Sequence, residues 1–502
     1  MLENGFGSMG LQGARVPGLR KFNPDRECGR GFARTSSIQQ SRKTYCNPLP
    51  IPDYPIGRNY PNEVGKFPAW RELADPTVVY EDGVWYLYPS CGMVWWSEDF
   101  VTWRHKRMEP YDCGYAPTVV KHRGRFWLLA SGSDLYVSDS PLGPFEKVGP
   151  LRAPDGADVR VGDPMLFSDD DGRLYLYFGC GWKISGVELD AVDPTRLLAD
   201  PATMFEADPA AHPWERMGAC NTDPNYSWVE GAWMFKRGGV YYLTYAAPGT
   251  QWPSYGMGAY KGPSPLGPWE YMRTTPFLTG RTGLVTGPGH GCLVQGPGDS
   301  VWAFYTCCVC HHYVFERRIG MDRIRFGADG DILPTTATET PQPAPGADDG
   351  ETGWLPLNRL AGRSEATSCA PGRDAVYATD GSMLTWWQPA ADDPAPAVTT
   401  LCAFYGVPVP VAAVRVVWRD VGLDPAHGVL PGPFGYRVEA ETAPGEWVTV
   451  LDRFGSDEDL LCDYRALPAP VRALRVRLVV ASHPQGIEPG VIDFTAFGPP
   501  PR

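Results

Sequence analysis

The sequence lacks the features that membrane-spanning, helical and nucleic-acid-binding proteins need. No stretch approaches the roughly 20 apolar residues of a membrane helix, and almost no segment repeats apolar residues at the helical period of about 3.6. Excess positive charge is also absent, since the formal net charge is −13. This balance argues against a nucleic-acid partner and favours neutral or small ligands. We therefore expect no membrane partner and no nucleic-acid partner.

A dense cysteine framework is lacking as well. The 13 cysteines are odd in number and scattered over 502 residues, which favours reduced thiols and an intracellular setting. The stretch "TCCVCHH" at 306–312 raises the question of a zinc site. Alternate side chains of a strand point to opposite faces, and no second ligand pair stands at finger-like spacing. A buried or loop-lining role for the cluster Cys307–Cys310 is therefore favoured over metal binding.

The first residues offer no apolar core of signal-peptide length. Residues 1–43 instead carry eight Lys and Arg against three acidic residues. We expect residues 1–44 to be a basic, poorly ordered tail and the protein to be cytoplasmic. With 57 Gly, 52 Pro and 12% aromatic residues, the remainder favours many short strands joined by tight turns. The length predicts two domains, both mostly β.

One hairpin pattern occurs five times. The stretch "RELADPTVVYEDGVWYLYPS" at 71–90 has a strand, a turn with Gly and an aromatic-rich strand, and it returns at 115–131, 162–179, 229–246 and 289–306. The spacing matches a four-stranded blade plus loops, so the repeat predicts a five-bladed β-propeller. The first strand of each copy begins with one marker residue, and the five markers are Asp75, Ala116, Asp163, Glu230 and His290.

Three of these markers are carboxylates, and a propeller would bring them to one central channel. Asp-Pro steps also start turns, which would explain Asp75 or Asp163 singly but gives no reason for Glu230. Two carboxylates facing one cleft suit glycoside hydrolysis, in which one protonates the leaving oxygen and the other activates water or attacks the sugar. A third carboxylate nearby would favour the protonated form of the acid.

Residues 45–335 resemble glycoside hydrolase family 43, five-bladed propellers that cleave arabinosides, xylosides and related sugars with inversion. The resemblance rests on "ADPTVVYEDGVWYLY", "YAPTVV", "GDPMLFSDDDGRLYLYFG", "VEGAWMFKRGGVYYLTYA", "GPGHGCLV" and "RRIGMDRIRFGADGDI" in this order. It implies that Asp75 is the general base and Glu230 the general acid, with Asp163 tuning and orienting Glu230. His290 would lie near the axis, beside calcium, another cation or ordered water.

The resemblance also suggests residues that contact the sugar. Arg317 matches a substrate-contacting position of some relatives, with Arg318 as a second candidate and a surface pair as the plain alternative. Tyr115 stands where relatives commonly carry Trp, which leaves linkage preference open. Further aromatic residues could stack on sugar faces or lie buried between blades; they are Trp95, Trp96, Trp182, Trp228 and Trp252.

The C-terminal third begins after a Pro-, Thr- and Ala-rich stretch that predicts a semi-extended linker at 336–353. Residues 354–502 show short alternating strands typical of a β-sandwich. The stretches "ATDGSMLTWWQP" and "VIDFTAFG" resemble the discoidin-like, or coagulation factor type C, module. That resemblance implies a jelly roll, a structural calcium and a carbohydrate-binding role. The pair Trp386 and Trp387 would form core or, alternatively, a ligand platform.

The sequence thus predicts an all-β chain, a five-bladed propeller followed by a jelly-roll sandwich. The leading hypothesis is an inverting exo-glycosidase that releases terminal α-L-arabinofuranosides or β-D-xylosides from oligosaccharides and requires no cofactor for its chemistry. One alternative is a β-D-galactofuranosidase or a galactan-directed enzyme of the same fold. Another is a propeller that binds sugar without turnover, although such a protein would have no need for both an acid and a base.

Overall fold

The computed structural model describes residues 44–100, 102–108, 114–309, 312–347, 353–403 and 405–500. The expected basic tail falls almost entirely on residues 1–43, which lie outside this part of the chain. The regular secondary structure of the described residues is almost entirely strand, which confirms the prediction of an all-β protein. The α-helices found in these ranges are Tyr60–Glu63 and Leu357–Ala361, and the 3₁₀ turns are Pro213–Glu215, Pro297–Asp299, Ala375–Ala378 and Pro425–His427. None of these helices is long and apolar enough to cross a membrane.

Five mainly antiparallel sheets, here called blades 1 to 5, follow one another along the chain from residue 77 to residue 324, and the strand Thr335–Thr336 returns to blade 4 as a parallel neighbour of Leu278–Thr279. Blade 1 consists of Thr77–Glu81, Val84–Tyr88, Met93–Ser97 and Arg104–Arg107, and blade 2 of Thr118–His122, Arg125–Leu129, Leu135–Ser138 and Glu146–Gly149. Blade 3 consists of Met165–Ser168, Leu174–Phe178, Lys183–Leu189 and Ala202–Glu206. Blade 4 consists of Glu230–Arg237, Val240–Ala247, Gly256–Gly262, Glu270–Tyr271, Leu278–Thr279 and Thr335–Thr336, and blade 5 of Thr286–Gln295, Val301–Cys308 and Arg317–Ile324.

The blades close into a ring. The first strand of each blade contacts the first strand of the next, and Thr77–Glu81 of blade 1 contacts Thr286–Gln295 of blade 5. Alternate side chains of a blade strand point to opposite faces, and each face is buried against a neighbouring blade. Large aromatic side chains fill the space between the blades, which explains the aromatic content. Trp85, for example, lies 5.8 Å from Phe304 of blade 5, measured between ring centroids. The strand starts therefore meet around one axis, as a propeller requires.

Short strand pairs connect and flank the blades. They are Leu151–Arg152 with Asp158–Val159, Arg216–Met217 with Asp223–Ser227, and Thr44–Tyr45 with Gln342–Pro343. In the last pair, the strand Gln342–Pro343 lies within the predicted semi-extended linker at 336–353. The described part of this linker, residues 336–347, runs along the propeller, and Glu339 accepts the amide of Leu284 at 2.7 Å. Polar side chains in this stretch thus satisfy backbone groups of the propeller.

The C-terminal part is a sandwich of two sheets. One sheet has the order Leu355–Pro356, Glu488–Gly498, Val409–Val421 and Cys462–Ala473, and the other Ser364–Ala366, Ala397–Leu401, Arg475–Ser482, Gly435–Ala443 and Glu446–Asp452. Trp387 is fully buried in its core, and Trp386 is covered by the guanidinium groups of Arg373 and Arg419 at 3.3 Å and 3.9 Å from the ring centroid. The Trp pair therefore belongs to the packing of the sandwich.

Candidate active site

The starts of the five inner strands meet in one pocket on the propeller axis. This pocket is lined by Asp75, Ala116, Asp163, Gly231 and His290 together with the residues that follow them. Each of the five has a left-handed backbone, with φ between 37° and 60°. Such a conformation costs L-residues on the order of 1–3 kcal/mol and persists only where the surrounding structure holds it.

The structure corrects one assignment within the repeat. The blade-4 residue equivalent to Asp75 is Gly231, and Glu230 precedes it by one position. Glu230 pairs with Ala246, and the extra residue of the bulge lies between Glu230 and Trp233. The equivalent bulge of blade 5 lies between Gly289 and Cys292 and contains His290, so Gly231 and not Glu230 corresponds to His290. Gly is required there: a Cβ on Gly231 would meet the ring of His290 at 2.8 Å. Glu230 therefore enters the site from the residue before the marker position of its strand.

Asp75 is a buried carboxylate held on both oxygens. Ser90 donates its hydroxyl to Oδ2 at 2.6 Å, and Arg317 donates Nη1 to Oδ1 at 2.9 Å. The amide of Asp75 donates to the hydroxyl of Thr306 at 2.8 Å, which ties blade 1 to blade 5. Burial opposes ionisation, but the positive charges of Arg317 and His290 and the hydrogen bonds outweigh it, so the pKa of Asp75 is lowered. The carboxylate is thus suited to remain ionised and accept a proton.

Arg317 bridges Asp75 and a second buried carboxylate, Glu72. Its Nη2 and Nε both donate to Glu72 Oε1, the latter at 3.2 Å. Arg318 turns away and donates to the carbonyls of Arg71 and Arg317. Both arginines are buried, so the surface-pair interpretation is wrong, and Arg317 is the member that faces the carboxylates.

Tyr115 lies against the same arginine. The Arg317 guanidinium carbon is 5.7 Å from the Tyr115 ring centroid. The Tyr115 hydroxyl is buried and has no hydrogen-bond partner in the described part of the chain. Burial, with the negative charges of Glu72 and Asp75, raises the pKa of Tyr115, so the hydroxyl stays protonated. An unsatisfied buried hydroxyl beside a pocket is suited to bind a ligand hydroxyl.

His290 lies between two of the carboxylates. Its Nδ1 is 3.5 Å from Asp75 Oδ1 and 3.8 Å from Asp163 Oδ2. Burial alone would lower the pKa of His290, yet the charges of Asp75, Asp163 and Glu230 raise it. Conversely, burial and the negative charges of Glu230 and Asp75 raise the pKa of Asp163 to about 6 despite the opposing effect of His290. The cluster therefore retains protons near neutral pH.

Glu230 accepts hydrogen bonds on both oxygens. Tyr255 donates to Oε1 at 2.5 Å, Trp228 donates Nε1 to Oε2 at 2.8 Å, and the Cys180 thiol lies 3.5 Å from Oε2. Burial and the adjacent charges of Asp163 and Glu230 raise the pKa of Cys180, so the thiol is a neutral donor. Burial followed by the charge of Glu230 likewise keeps Tyr255 protonated by raising its pKa. These three donors fix the orientation of Glu230.

The donor set does not match a calcium cage around His290. Ca²⁺ takes about six to eight oxygen ligands, whereas Oδ1 of Asp75 beside His290 already accepts from Arg317. Within the described ranges, the only group of three convergent side-chain metal donors is Asp163, Cys180 and Glu230. No comparable group occurs in the described part of the sandwich. Both calcium sites therefore stay predictions.

The aromatic residues expected to contact sugar divide into two sets. Trp95 is a correction: it is fully buried and donates Nε1 to the carbonyl of Pro52 at 2.8 Å, so it cannot stack on a ligand. Trp228 touches Glu230, as described above. Trp182 is 48% exposed and follows Gly181, which pairs with Val229 next to Glu230, so it is free to contact a ligand.

Trp96 and the described cysteines of the cluster lie in the protein framework. Trp96 is half-buried on the third strand of blade 1, away from the strand starts. Trp252 has a buried Nε1 without a hydrogen-bond partner in the described chain. Cys307 and Cys308 are buried, and the thiol of Cys308 donates to the carbonyl of Thr250 at 2.8 Å. Positions 310 and 311 of the cluster lie outside the described residues, and the amide of His312 donates to Glu316 at 2.9 Å.

Several residues of the site were not expected from the sequence. Ser90 and Ser131 could have been found, since they end the second strands of blades 1 and 2 in "LYPS" and "LLAS". Each hydroxyl accepts the amide of the marker in the next blade, Ala116 at 2.8 Å and Asp163 at 2.9 Å. Three further partners were unexpected and carry no repeat signal; they are Glu72, Cys180 and Tyr255. They stand outside the hairpins or at their irregular ends.

This arrangement can move protons on two sides of a bound molecule. Asp75 is an ionised, buried proton acceptor, whereas Glu230 is held by neutral hydrogen-bond donors. Asp163 and His290 connect the two, because His290 contacts both aspartates and Asp163 shares Cys180 with Glu230. Such a pair of carboxyl groups with a third beside them fits general acid–base catalysis.

Comparisons with known proteins agree with this chemistry. The sequence profile of the family described as glycosyl hydrolases family 43 matches residues 70–332, slightly more than half of the 502-residue chain. The beta-D-galactofuranosidase xynD of Aspergillus niger is 26% identical over 311 residues, which cover 54% of this chain and 84% of that protein. A beta-xylosidase of Xylanibacter ruminicola is 25% identical over 313 residues, covering 56% of this chain and 90% of the relative.

A third relative is named for two activities. The xylosidase/arabinosidase of Bacteroides ovatus is 24% identical over 329 residues, which cover 52% of this chain and 94% of that protein. The residues matched by the family profile, 70–332, include the marker residues of all five blades.

Proposed function

The chain belongs to glycosyl hydrolases family 43, and from this premise we propose that it is an inverting exo-glycosidase that releases terminal α-L-arabinofuranose or β-D-xylose from oligosaccharides. The observation that carries the proposal is the meeting of Asp75, Asp163 and Glu230 at the axial pocket around His290 and Cys180. Xylosidase and arabinosidase names among its relatives support the pentoside class.

In the proposed mechanism, Asp75 removes a proton from the attacking water and Glu230 protonates the leaving oxygen. The lowered pKa of Asp75 keeps it ionised, which a general base requires. Asp163 orients Glu230 through the shared contact with Cys180, and Tyr115 and Arg317 bind sugar hydroxyls. The carboxyl groups suffice for this chemistry, so we propose no cofactor for it.

A second candidate is hydrolysis of β-D-galactofuranosides. It is favoured by the relative named beta-D-galactofuranosidase, because the aligned residues cover 84% of that protein. The five-membered ring of galactofuranose resembles arabinofuranose at the reacting centre, so the same pair of carboxylates could serve both. We further propose that residues 354–502 are a discoidin-like module, because the sandwich contains the two resembling stretches.

The proposal is tested with the full chain and three nitrophenyl glycosides, the α-L-arabinofuranoside, the β-D-xyloside and the β-D-galactofuranoside. The expected result is turnover of at least one pentoside, with the first-formed sugar having the opposite anomeric configuration in proton NMR. Retention of configuration would make Asp75 a nucleophile. Sugar binding without turnover of any of the three would favour a binding protein.

A pH dependence follows from the Arg317 bridge. We expect Arg317→Lys to move the acid limb of kcat/KM to higher pH, because a lysine cannot donate to Asp75 and Glu72 together. The folded-state pKa of Asp75 is lowered, so weakening its cationic partner raises that pKa toward its ordinary value. The base is then lost by protonation at a higher pH than in the wild type.

The matched control for this measurement is Arg318→Lys. Arg318 is equally buried and adjacent, but it donates to backbone carbonyls and not to Asp75. The acid limb of kcat/KM for Arg318→Lys should coincide with that of the wild type. An unchanged or lower acid limb in Arg317→Lys would contradict the assignment of Asp75 as the base held by Arg317.

A further inference from the structure

The segment that leads into Asp75 is held by the C-terminal sandwich. Arg71 is buried, and its guanidinium donates to the two carboxylate oxygens of Asp459 at 3.0 Å and 2.6 Å. It also donates to Asp420 Oδ2 at 3.1 Å. Both aspartates belong to the sandwich, and their side chains are 9% and 5% exposed. A bidentate, buried pair of this kind fixes geometry as well as charge.

The next residue along the chain is held from the propeller side. Glu72 accepts from Nε and Nη2 of Arg317, whose Nη1 donates to Asp75. The amide of Leu73 donates to the carbonyl of Arg317 at 3.3 Å. Arg71 and Glu72 are thus neighbours with different partners, one in the sandwich and one in the carboxylate cluster. Movement of Arg71 would be transmitted to Glu72 and from there to Arg317.

The loop of the sandwich that carries Asp459 is fixed to the propeller through its backbone as well. The amide of Asp53 donates to the carbonyl of Asp459 at 2.8 Å, and Pro52 and Leu460 form a β-bridge. Without the Asp459 charge, Arg71 would keep only its single contact with Asp420 and would lose the bidentate contact that fixes its position. Loss of the Asp459 charge would therefore loosen the residues just before Asp75.

We propose that Asp459 and Arg71 are positioning residues for hydrolysis, and that the sandwich acts as a structural part of the active centre by clamping the segment that carries Asp75. The inference rests on the proposed role of Asp75 as the general base. It differs from a carbohydrate-binding role, because the contacts that carry it lie between the two domains and involve no exposed sugar platform. Small displacements of a catalytic group lower the rate strongly.

The test uses Asp459→Asn in the full chain. We expect kcat to fall about ten-fold, because the base is misplaced. The acid limb of kcat/KM should move to higher pH as Arg317 holds Asp75 less firmly. The matched control is Glu441→Gln, which removes a buried carboxylate that pairs with Arg475 through two hydrogen bonds inside the sandwich.

Hydrogen–deuterium exchange supplies a readout that does not depend on activity. Peptides covering residues 71–75 should exchange faster in Asp459→Asn than in the wild type and in Glu441→Gln. Should Asp459→Asn fail to fold, Arg71→Lys keeps the charge, loses the two-pronged contact and is expected to change kcat and exchange in the same direction. The positioning role is overturned if Asp459→Asn, or Arg71→Lys in its place, leaves kcat, acid limb and exchange of 71–75 at control values. An inactive wild type would instead count against the proposed function, and the exchange result would still decide the clamp.

Discussion

Replacing Asp75 with asparagine should lower kcat/KM for aryl pentosides by about 10²- to 10⁴-fold, the usual size of a general base effect. Asparagine has the same shape and its one carbonyl oxygen can still accept from Arg317, while its amide group faces the Ser90 hydroxyl; it cannot take a proton from water. Because water must be activated for every substrate, the loss should be similar for good and poor leaving groups. Initial rates with nitrophenyl glycosides over a range of pH measure it.

The matched control for Asp75→Asn is Asp169→Asn. Asp169 is also a buried carboxylate, paired with Lys236 and hydrogen-bonded by Tyr241, but it lies at the turn between the first two strands of blade 3, away from the axis. Its replacement should affect stability and leave kcat near the wild-type value. The assignment of Asp75 fails if both variants lose activity equally, or if Asp75→Asn remains within a few fold of the wild type.

The repeat made the fold and most of the axial cluster predictable. One pattern at five places gives closure around an axis, so Asp75, Asp163 and His290 become neighbours although they are remote in sequence. The same reasoning placed Glu230 one position wrong in the repeat. An alignment of hairpins shows which residues begin a strand, but it does not show that the bulge of blade 4 follows Glu230 and gives Gly231 the position of the marker.

Partners outside the repeat were not predictable, for a physical reason. Glu72 and Tyr255 reach the site from connecting segments, whose paths depend on packing and not on strand period. The burial of Trp95 was likewise hidden, because alternation along a strand gives two faces without telling which one meets the neighbouring blade. Contacts between the domains, such as Arg71 with Asp459, join residues 388 positions apart and have no local signal.

Replacing Glu230 with glutamine should produce a loss that depends on the leaving group. An alkyl or sugar leaving group must be protonated as it departs, so kcat/KM for a pentose disaccharide should fall about 10²- to 10⁴-fold. A dinitrophenolate leaves without a proton, so the dinitrophenyl pentoside should be hydrolysed at a rate much closer to the wild type. The single oxygen of glutamine can accept from Tyr255 or from Trp228 but not from both, so the ratio of the rates with the two substrates, and not either rate alone, separates lost proton donation from lost orientation.

Asp75→Asn is the internal standard for this comparison, because loss of the base slows both substrates alike. The ratio of the two rates therefore reports the acid independently of protein concentration and of any fraction that fails to fold. A wild-type ratio in Glu230→Gln would show that the proton comes from another group, and Asp163, whose pKa is raised to about 6 by burial and by the neighbouring carboxylates, would then be the residue to replace next. A ratio shifted toward the dinitrophenyl substrate assigns the proton donor to Glu230 and, with it, the direction from which the leaving group departs.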